Sequence, residues 1–249
     1  MGRVTLRFYA ELNDFLPLAL RKRPFEQSVK ATQSIKHLIE NLGVPHTEVE
    51  IILANGRSVA FDYLPQEGDR ISVYPVFERL DITPLLRLRA APLRHPRFLA
   101  DAHLGKLARH LRLLGFDTLY FNDIGDLRLA EISVQERRIL LTRDRALLMR
   151  REITHGCFVH ATDPREQLQA LFLRLDLFRL ITPFSRCMLC NGCLESVEKV
   201  QIIEELPKRA GQLYTEFWRC SDCAKIYWKG SHYRQLLGFV ESIARQSLQ

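Results

Sequence analysis

The chain has 249 residues, of which 47% are hydrophobic and 26% charged, with a formal net charge of +7. That is ordinary for a globular protein and leaves room for two or three small domains, while no apolar run approaches the roughly 20 residues that cross a bilayer. The opening Met1-Gly2-Arg3-Val4-Thr5-Leu6 lacks the apolar block of an export signal, and Arg7 stands where myristoylation needs Ser or Thr, so a soluble, cytoplasmic protein without a membrane partner is expected.

Residues 3–9 alternate, with Val4, Leu6 and Phe8 on one face of a half-buried strand. After a break at Pro17, residues 25–30 can pair back as a second strand. Thr32 opens a helix with Ile35, Leu38, Ile39 and Leu42 on its apolar face, closed by Gly43 and Pro45. Short strands follow at 49–53 and 71–75, with Asn55-Gly56 as a turn before Ser58-Val59. Strand, strand, helix, strand, strand predicts a β-grasp domain over 1–79. It resembles the ubiquitin-like sulfur carriers of molybdopterin and thiamine synthesis in pattern. Those carriers end in Gly-Gly, whereas this segment runs on through Tyr74-Pro75-Val76-Phe77-Glu78-Arg79, so binding a protein partner is expected rather than sulfur transfer.

Residues 80–96 hold Pro84, Pro92 and Pro96 with Arg87, Arg89 and Arg94, the composition of a partly extended linker. From Arg97 the period changes. Phe98-Leu99-Ala100, Thr118–Phe121, Ile139-Leu140-Leu141 and Cys157-Phe158-Val159 read as strands. Helical patterns separate them, at 104–114, at Leu127, Ala130, Ile132 and Val134, and at 146–151. Asp163-Pro164-Arg165-Glu166 is a capping box before the helix of Leu168, Leu171, Leu175 and Phe178. This alternation predicts a parallel α/β/α domain over 97–181.

Ligands of open parallel sheets bind beyond the carboxyl ends of the strands. Asp101 ends the first strand, Asp123 follows the second and Asp144 follows the third, with Asp126 just after Asp123. Clustered carboxylates repel unless a cation sits among them, and oxygen ligands favour Mg²⁺ or Mn²⁺. Such an ion activates water and stabilises a leaving oxygen at phosphorus. Asp126 reads equally well as a helix cap and Asp123 as a loop residue. Asp101 and Asp144 directly follow apolar runs, where a lone charge is costly.

The positive charge is uneven. Residues 1–80 carry ten basic and ten acidic side chains, 81–180 seventeen and twelve, and 181–249 nine and seven. An RNA partner suits the middle segment. Lys106, Arg109 and Arg112 recur every three residues after Asp101, and Arg143 and Arg145 flank Asp144; phosphate contact and a solvated basic surface both explain them.

Two cysteine pairs follow, Cys187-x-x-Cys190 and Cys220-x-x-Cys223, which supply the four thiolates of a closed structural Zn²⁺ site in a zinc ribbon over 182–249 that ends in a helix. Cys193 extends the first pair toward an iron–sulfur run, but Val197 stands where its fourth cysteine belongs. Cys193 and Cys157 read as free thiols. Trp218, Tyr227 and Trp228 beside Lys225 and Lys229 suit either base stacking or the small core of a ribbon.

The run from Phe98 to Asp117, the run from Arg138 to Arg145, Arg186–Asn191, and Cys220–Cys223 leading to Tyr227-Trp228-Lys229-Gly230-Ser231-His232 resemble, in order, the hallmarks of the Mut-seven C-terminal RNase family, a PIN-like group. The resemblance spans 97–235. It implies a metal-dependent ribonuclease, an endonuclease, with Asp101 and Asp144 as metal-binding acids, Asp126 as the acid opening the intervening helix and Asp123 as a fourth. It also implies a ubiquitin-like domain in front. The alternative is a non-catalytic RNA- or ribosome-binding adaptor with a degenerate site.

Overall fold

A computed structural model describes residues 2–76, 87–88 and 96–245. The linker expected over 80–96 lies mostly outside the described residues. Of it, Leu88 packs against the N-terminal core.

The elements in chain order are β1 (Gly2–Phe8), β2 (Phe25–Val29), α1 (Ile35–Asn41), β3 (Ile51–Ala54), β4 (Arg57–Ser58), β5 (Arg70–Tyr74), β6 (Phe98–Ala100), α2 (Gly105–Leu113), β7 (Thr118–Tyr120) and α3 (Asp126–Gln135). Then come β8 (Ile139–Thr142), α4 (Arg145–Leu148), β9 (Gly156–Phe158), α5 (Pro164–Arg174), β10 (Leu194–Val197), α6 (Lys199–Ile202), α7 (Lys208–Leu213), β11 (Phe217–Cys220), β12 (Ile226–Trp228) and α8 (Ser231–Arg245). No helix among the described residues is long and apolar enough to cross a membrane.

The chain forms two compact units, residues 1–103 with 123–160 and residues 104–122 with 161–249. The first begins with a five-stranded sheet in the order β2-β1-β5-β3-β4. β1 runs antiparallel to β2 and parallel to β5, and β3 runs antiparallel to β5. This is the β-grasp arrangement. Its core is the inward set Val4, Leu6 and Phe8 of β1 against Ile35, Leu38 and Ile39 of α1. Alternation puts every second residue of β1 on that face. The helix starts at a Ser34 cap, whose hydroxyl accepts from the His37 amide, two residues later than the Thr32 start expected. The Asn55-Gly56 turn forms as expected, with φ of 51° and 82°.

The same unit holds three parallel strands, β6, β8 and β9, with β8 central. All three residues of β6 and all four of β8 are buried, the signature of a sheet covered on both faces. Helix α3 turns Leu129, Ala130, Ile132 and Ser133 inward. Leu127 and Val134, expected on its apolar face, are seven residues apart and so share one side of the helix, and both are exposed because the buried stripe is centred on Leu129 and Ser133 across from them.

Edge strand β9 is met by the short turn His46–Glu48. The buried Glu48 carboxylate accepts the Phe158 amide at 2.5 Å, and His46 Nε2 lies 2.8 Å from the Ile153 carbonyl. Phe15 packs edge-on to Phe158. The β-grasp fold is therefore cemented to the parallel strands by buried polar and aromatic contacts.

In the second unit α2 packs on α5, with Phe116 edge-on to Phe172. Asp163 caps α5 as expected, accepting from the Arg165 and Glu166 amides ahead of Pro164. The antiparallel sheet β10-β11-β12 follows, packed through Phe217 on Ile202 and Leu206.

Candidate functional site

Asp101 and Asp144 emerge from neighbouring strands. Ala100 pairs with Leu141 across β6 and β8, and the Asp101 amide donates to the Leu141 carbonyl at 3.0 Å, extending the ladder by one residue. Thr142, fully buried at the end of β8, then ties the two acids together. Its hydroxyl donates to Asp101 Oδ2 at 2.7 Å and accepts the Asp144 amide at 2.9 Å. Thr142 is the residue that sequence reasoning missed as part of the site. Its position two before an aspartate, at the end of an apolar run, was the available signal.

Asp144 also has a local role. Its Oδ1 caps α4, accepting from the Ala146 and Leu147 amides at 2.7 and 3.4 Å. Among the described residues, these contacts engage Oδ2 of Asp101 and Oδ1 of Asp144, and the other carboxylate oxygen of each carries no hydrogen bond. Asp126 is the first residue of α3 and makes no cap bond, Gly125 being the cap position. Asp123 and Asp126 are both exposed. The structure does not bring the four acids into a compact group: among the described residues, the one cluster of three or more metal-ligating side chains is the cysteine set.

The basic residues divide. Arg143 and Arg145 are exposed beside Asp144, and the Arg145 guanidinium lies 5.2 Å from the Phe15 ring centroid and 5.3 Å from that of Phe158. Lys106 and Arg109 are exposed on α2. Arg112, expected in the same solvent-facing stripe, is only 4% exposed. Its Nε donates to the Thr118 carbonyl and its Nη1 to the carbonyls of Leu189 and Met188, at 2.8, 2.7 and 3.3 Å. Three-residue spacing drifts around a 3.6-residue helix, so the third member turns inward. Burial holds its pKa below the ordinary arginine value. His110 is half-buried against Phe239.

Cys187, Cys190, Cys220 and Cys223 converge, their sulfurs all within 4.8 Å of one another. The Cys187–Cys223 pair lies at 3.7 Å and Cys190–Cys220 at 3.3 Å. A tetrahedral zinc with bonds of about 2.3 Å holds its sulfurs about 3.8 Å apart, so the four fit one Zn²⁺. Cys193 is exposed and outside the cluster, and Cys157 is buried in the first unit, where burial and the Glu11 charge push its thiol up to about 12.

The two knuckles repeat one backbone device. The residue after each pair is left-handed, Asn191 at φ 83° and Ala224 at φ 58°. The Asn191 amide donates to the Cys187 carbonyl and that of Ala224 to the Cys220 carbonyl, at 2.9 and 3.1 Å. Gly192 donates to Cys190 Sγ at 3.4 Å. Burial disfavours a Cys187 thiolate, but hydrogen bonds from the Tyr227 hydroxyl at 3.0 Å and from the Cys190 and Leu189 amides outweigh it and bring that thiol down to about 6. Burial and then the neighbouring cysteines push Cys190 up to about 12. Four thiols so placed cannot all ionise without a cation among them.

A β-grasp sheet, a parallel α/β core with an acid at each of two adjacent strand ends, and a four-cysteine cluster together define a mixed α/β protein. The chain belongs to the Mut7-C RNAse domain family, whose model matches residues 96–240, and residues 1–81 match the Mut7-C ubiquitin model. Family membership supports a ribonuclease-type function in general terms. None of the curated proteins matches the chain. Two crystal structures of small archaeal modifier protein 1 from Haloferax volcanii are similar to it at 17% and 16% identity, with a TM-score of 0.25 in each case. They cover 30% of this chain and 98% and 97% of their own.

Proposed function

We propose that the protein is a metal-dependent ribonuclease that hydrolyses RNA phosphodiesters internally, with its site at the ends of β6 and β8. The observation that carries this is the Asp101–Thr142–Asp144 bridge. It ties the Asp101 carboxylate to the Asp144 backbone at adjacent strand ends, and one oxygen of each carboxylate stays uncommitted. Hard oxygen donors of this kind suit Mg²⁺ or Mn²⁺, held by Asp101 and Asp144 with Asp126, and Asp123 as a fourth acid. When bound, such an ion supplies Lewis acidity toward phosphate oxygens and lowers the pKa of water. Thr142 orients the Asp101 carboxylate and fixes the Asp144 backbone, and the α4 cap orients the Asp144 carboxylate. Arg143 and Arg145 beside Asp144 offset charge that builds on phosphate in the transition state. Lys106 and Arg109 contact the RNA backbone; Arg112 is withdrawn from that role.

The β-grasp domain (1–79) acts as a protein-binding module, the linker (80–96) joins it to the nuclease domain (97–181), and the ribbon (182–249) carries structural Zn²⁺. Reduced zinc thiolates accord with a cytoplasmic setting. The test is incubation of the zinc-loaded protein with mixed RNAs and Mn²⁺, beside Asp101→Asn and Asp144→Asn. Asparagine caps a helix as well as aspartate, so Asp144→Asn should keep α4 and the fold while abolishing cleavage. Equal cleavage by the variants rejects the reading. The second reading, a non-catalytic RNA- or ribosome-binding adaptor, is favoured by the exposed, ungrouped placement of Asp123 and Asp126. It predicts salt-sensitive binding without turnover in either metal.

A further inference from the structure

The second unit contains a cleft of about 630 Å³ beside the zinc knuckles. Trp218, Tyr227 and Trp228 from β11 and β12 line it, together with Phe184 and Tyr233, whose rings lie 4.5 Å apart between centroids and are tilted by 35°. These aromatic rings are half-buried rather than packed away. Among the described residues its cations are Arg186, Lys225 and Lys229, and none of its described lining residues is acidic. The Lys225 ammonium lies 5.9 Å from the Tyr227 ring centroid and that of Lys229 lies 5.3 Å from the Trp218 ring. Lys229 is also bonded to Glu216 at 2.6 Å, and Arg186 faces Asp117 at 3.8 Å, so Lys225 leads the positive rim. A smaller cavity of about 440 Å³ shares Tyr227 and Lys225 and adds Arg109 of α2.

We infer that this cleft holds an unstacked base of single-stranded RNA, with its flanking phosphates on Lys225 and Arg109. Flat aromatic walls accept the π-face of any base, and a rim led by the Lys225 cation suits the backbone. The volume is in the range of a site for a ligand of nucleotide size, about 300–1,000 Å³. Tyr227 connects the cleft to the cysteine cluster, because its hydroxyl lies 3.0 Å from Cys187 Sγ while its ring lines the wall. A Zn²⁺ held by the four cysteines would therefore position a base-binding surface as well as the ribbon. The inference rests on the ribonuclease reading for its substrate class but not on the acids.

Trp218 and Trp228 are the chain's two tryptophans, so intrinsic fluorescence reports on the cleft directly. The zinc-loaded Asp144→Asn chain, without added Mg²⁺ or Mn²⁺, is titrated with single-stranded oligoadenylate and with an abasic oligonucleotide of the same length. Saturable quenching by the first and little by the second is expected. Trp218→Leu, read through Trp228, should weaken binding on the order of tenfold. Lys225→Glu, at an exposed side chain, should weaken it and flatten its salt dependence while zinc content stays at one per chain. If Trp218→Leu loses zinc, the Lys225→Glu result decides. Equal quenching by the abasic strand, no quenching at all, or unaltered binding by Lys225→Glu overturns the inference. Cleavage by the unmodified chain without quenching removes the cleft alone, and quenching without cleavage removes the nuclease reading and leaves the cleft.

Discussion

The Thr142 hydroxyl donates to Asp101 Oδ2 at 2.7 Å, and the same oxygen accepts the Asp144 amide. One buried side chain thus sets two acids from stretches 43 residues apart in sequence. Replacing it with valine keeps its shape and removes both bonds. Thr142→Val should cost about 1–2 kcal/mol of stability, measured by urea unfolding, as expected for bonds lost at a buried site. RNA cleavage should fall about 10- to 100-fold through misplacement of the acids. Thr142→Ser should restore most of it. Full cleavage by the valine variant would detach Thr142 from the site.

The two left-handed knuckle residues make opposite predictions. Ala224 adopts φ 58° with its side chain exposed, so Ala224→Gly relieves strain and should stabilise the ribbon by about 0.5–1 kcal/mol. Asn191 adopts φ 83°, but its side chain accepts the Thr118 amide and donates to Asp117 Oδ1, each at 2.8 Å. Asn191→Gly should therefore destabilise by about 1–2 kcal/mol despite the backbone gain. Thermal unfolding of the zinc-loaded variants reads both. Shifts of the same sign would refute the distinction.

Arg112 and Arg109 separate structure from binding. Arg112 holds the carbonyls of Met188 and Leu189 inside the first knuckle. Arg112→Ala should hasten zinc release to a chelator several-fold, because it removes the donor that ties the part-buried Met188 and Leu189 carbonyls to α2. Arg109→Ala should leave zinc in place and reduce the salt slope of RNA binding by about one. Chelator kinetics and a salt titration on both variants test this. An unchanged zinc release rate in Arg112→Ala would contradict it.

Asp69 makes the β-grasp sheet acid-sensitive. Burial raises its pKa, but bonds from the Gln66 amide, the Tyr63 hydroxyl and the Asn55 side chain outweigh burial and lower it below the ordinary carboxylate value. A carboxyl lowered in the folded state stabilises the fold above its unfolded pKa of about 4 and loses that stabilisation as pH falls through the lower folded value. Stability of the first unit should decline in that acid range, and Asp69→Asn should be less stable at neutral pH with a flatter acid limb. Identical acid limbs would refute the assignment.

Much of the architecture was legible locally. Alternation in β1, the Asn55-Gly56 turn, the Asp163 cap and the buried runs 98–100 and 139–141 each follow from backbone geometry and side-chain type over a few residues. The cysteine spacing pointed to one four-sulfur cluster for the same reason, since a knuckle is a local structure. Errors arose where a pattern's phase mattered. Leu127 and Val134 turned outward, and Arg112 turned inward, because a helix stripe is set by the neighbour it packs on.

The sequence by itself determined the three kinds of module, their order and the four cysteines that cluster, because propensities, turns and short cysteine spacings are encoded within a few residues. Only the tertiary structure decided that Thr142 joins Asp101 to Asp144, that Arg112 is buried behind the knuckle and that Glu48 caps the edge of β9. Those relationships depend on strand order and burial, and a buried hydrogen bond forms wherever packing brings donor and acceptor together, whatever their separation along the chain.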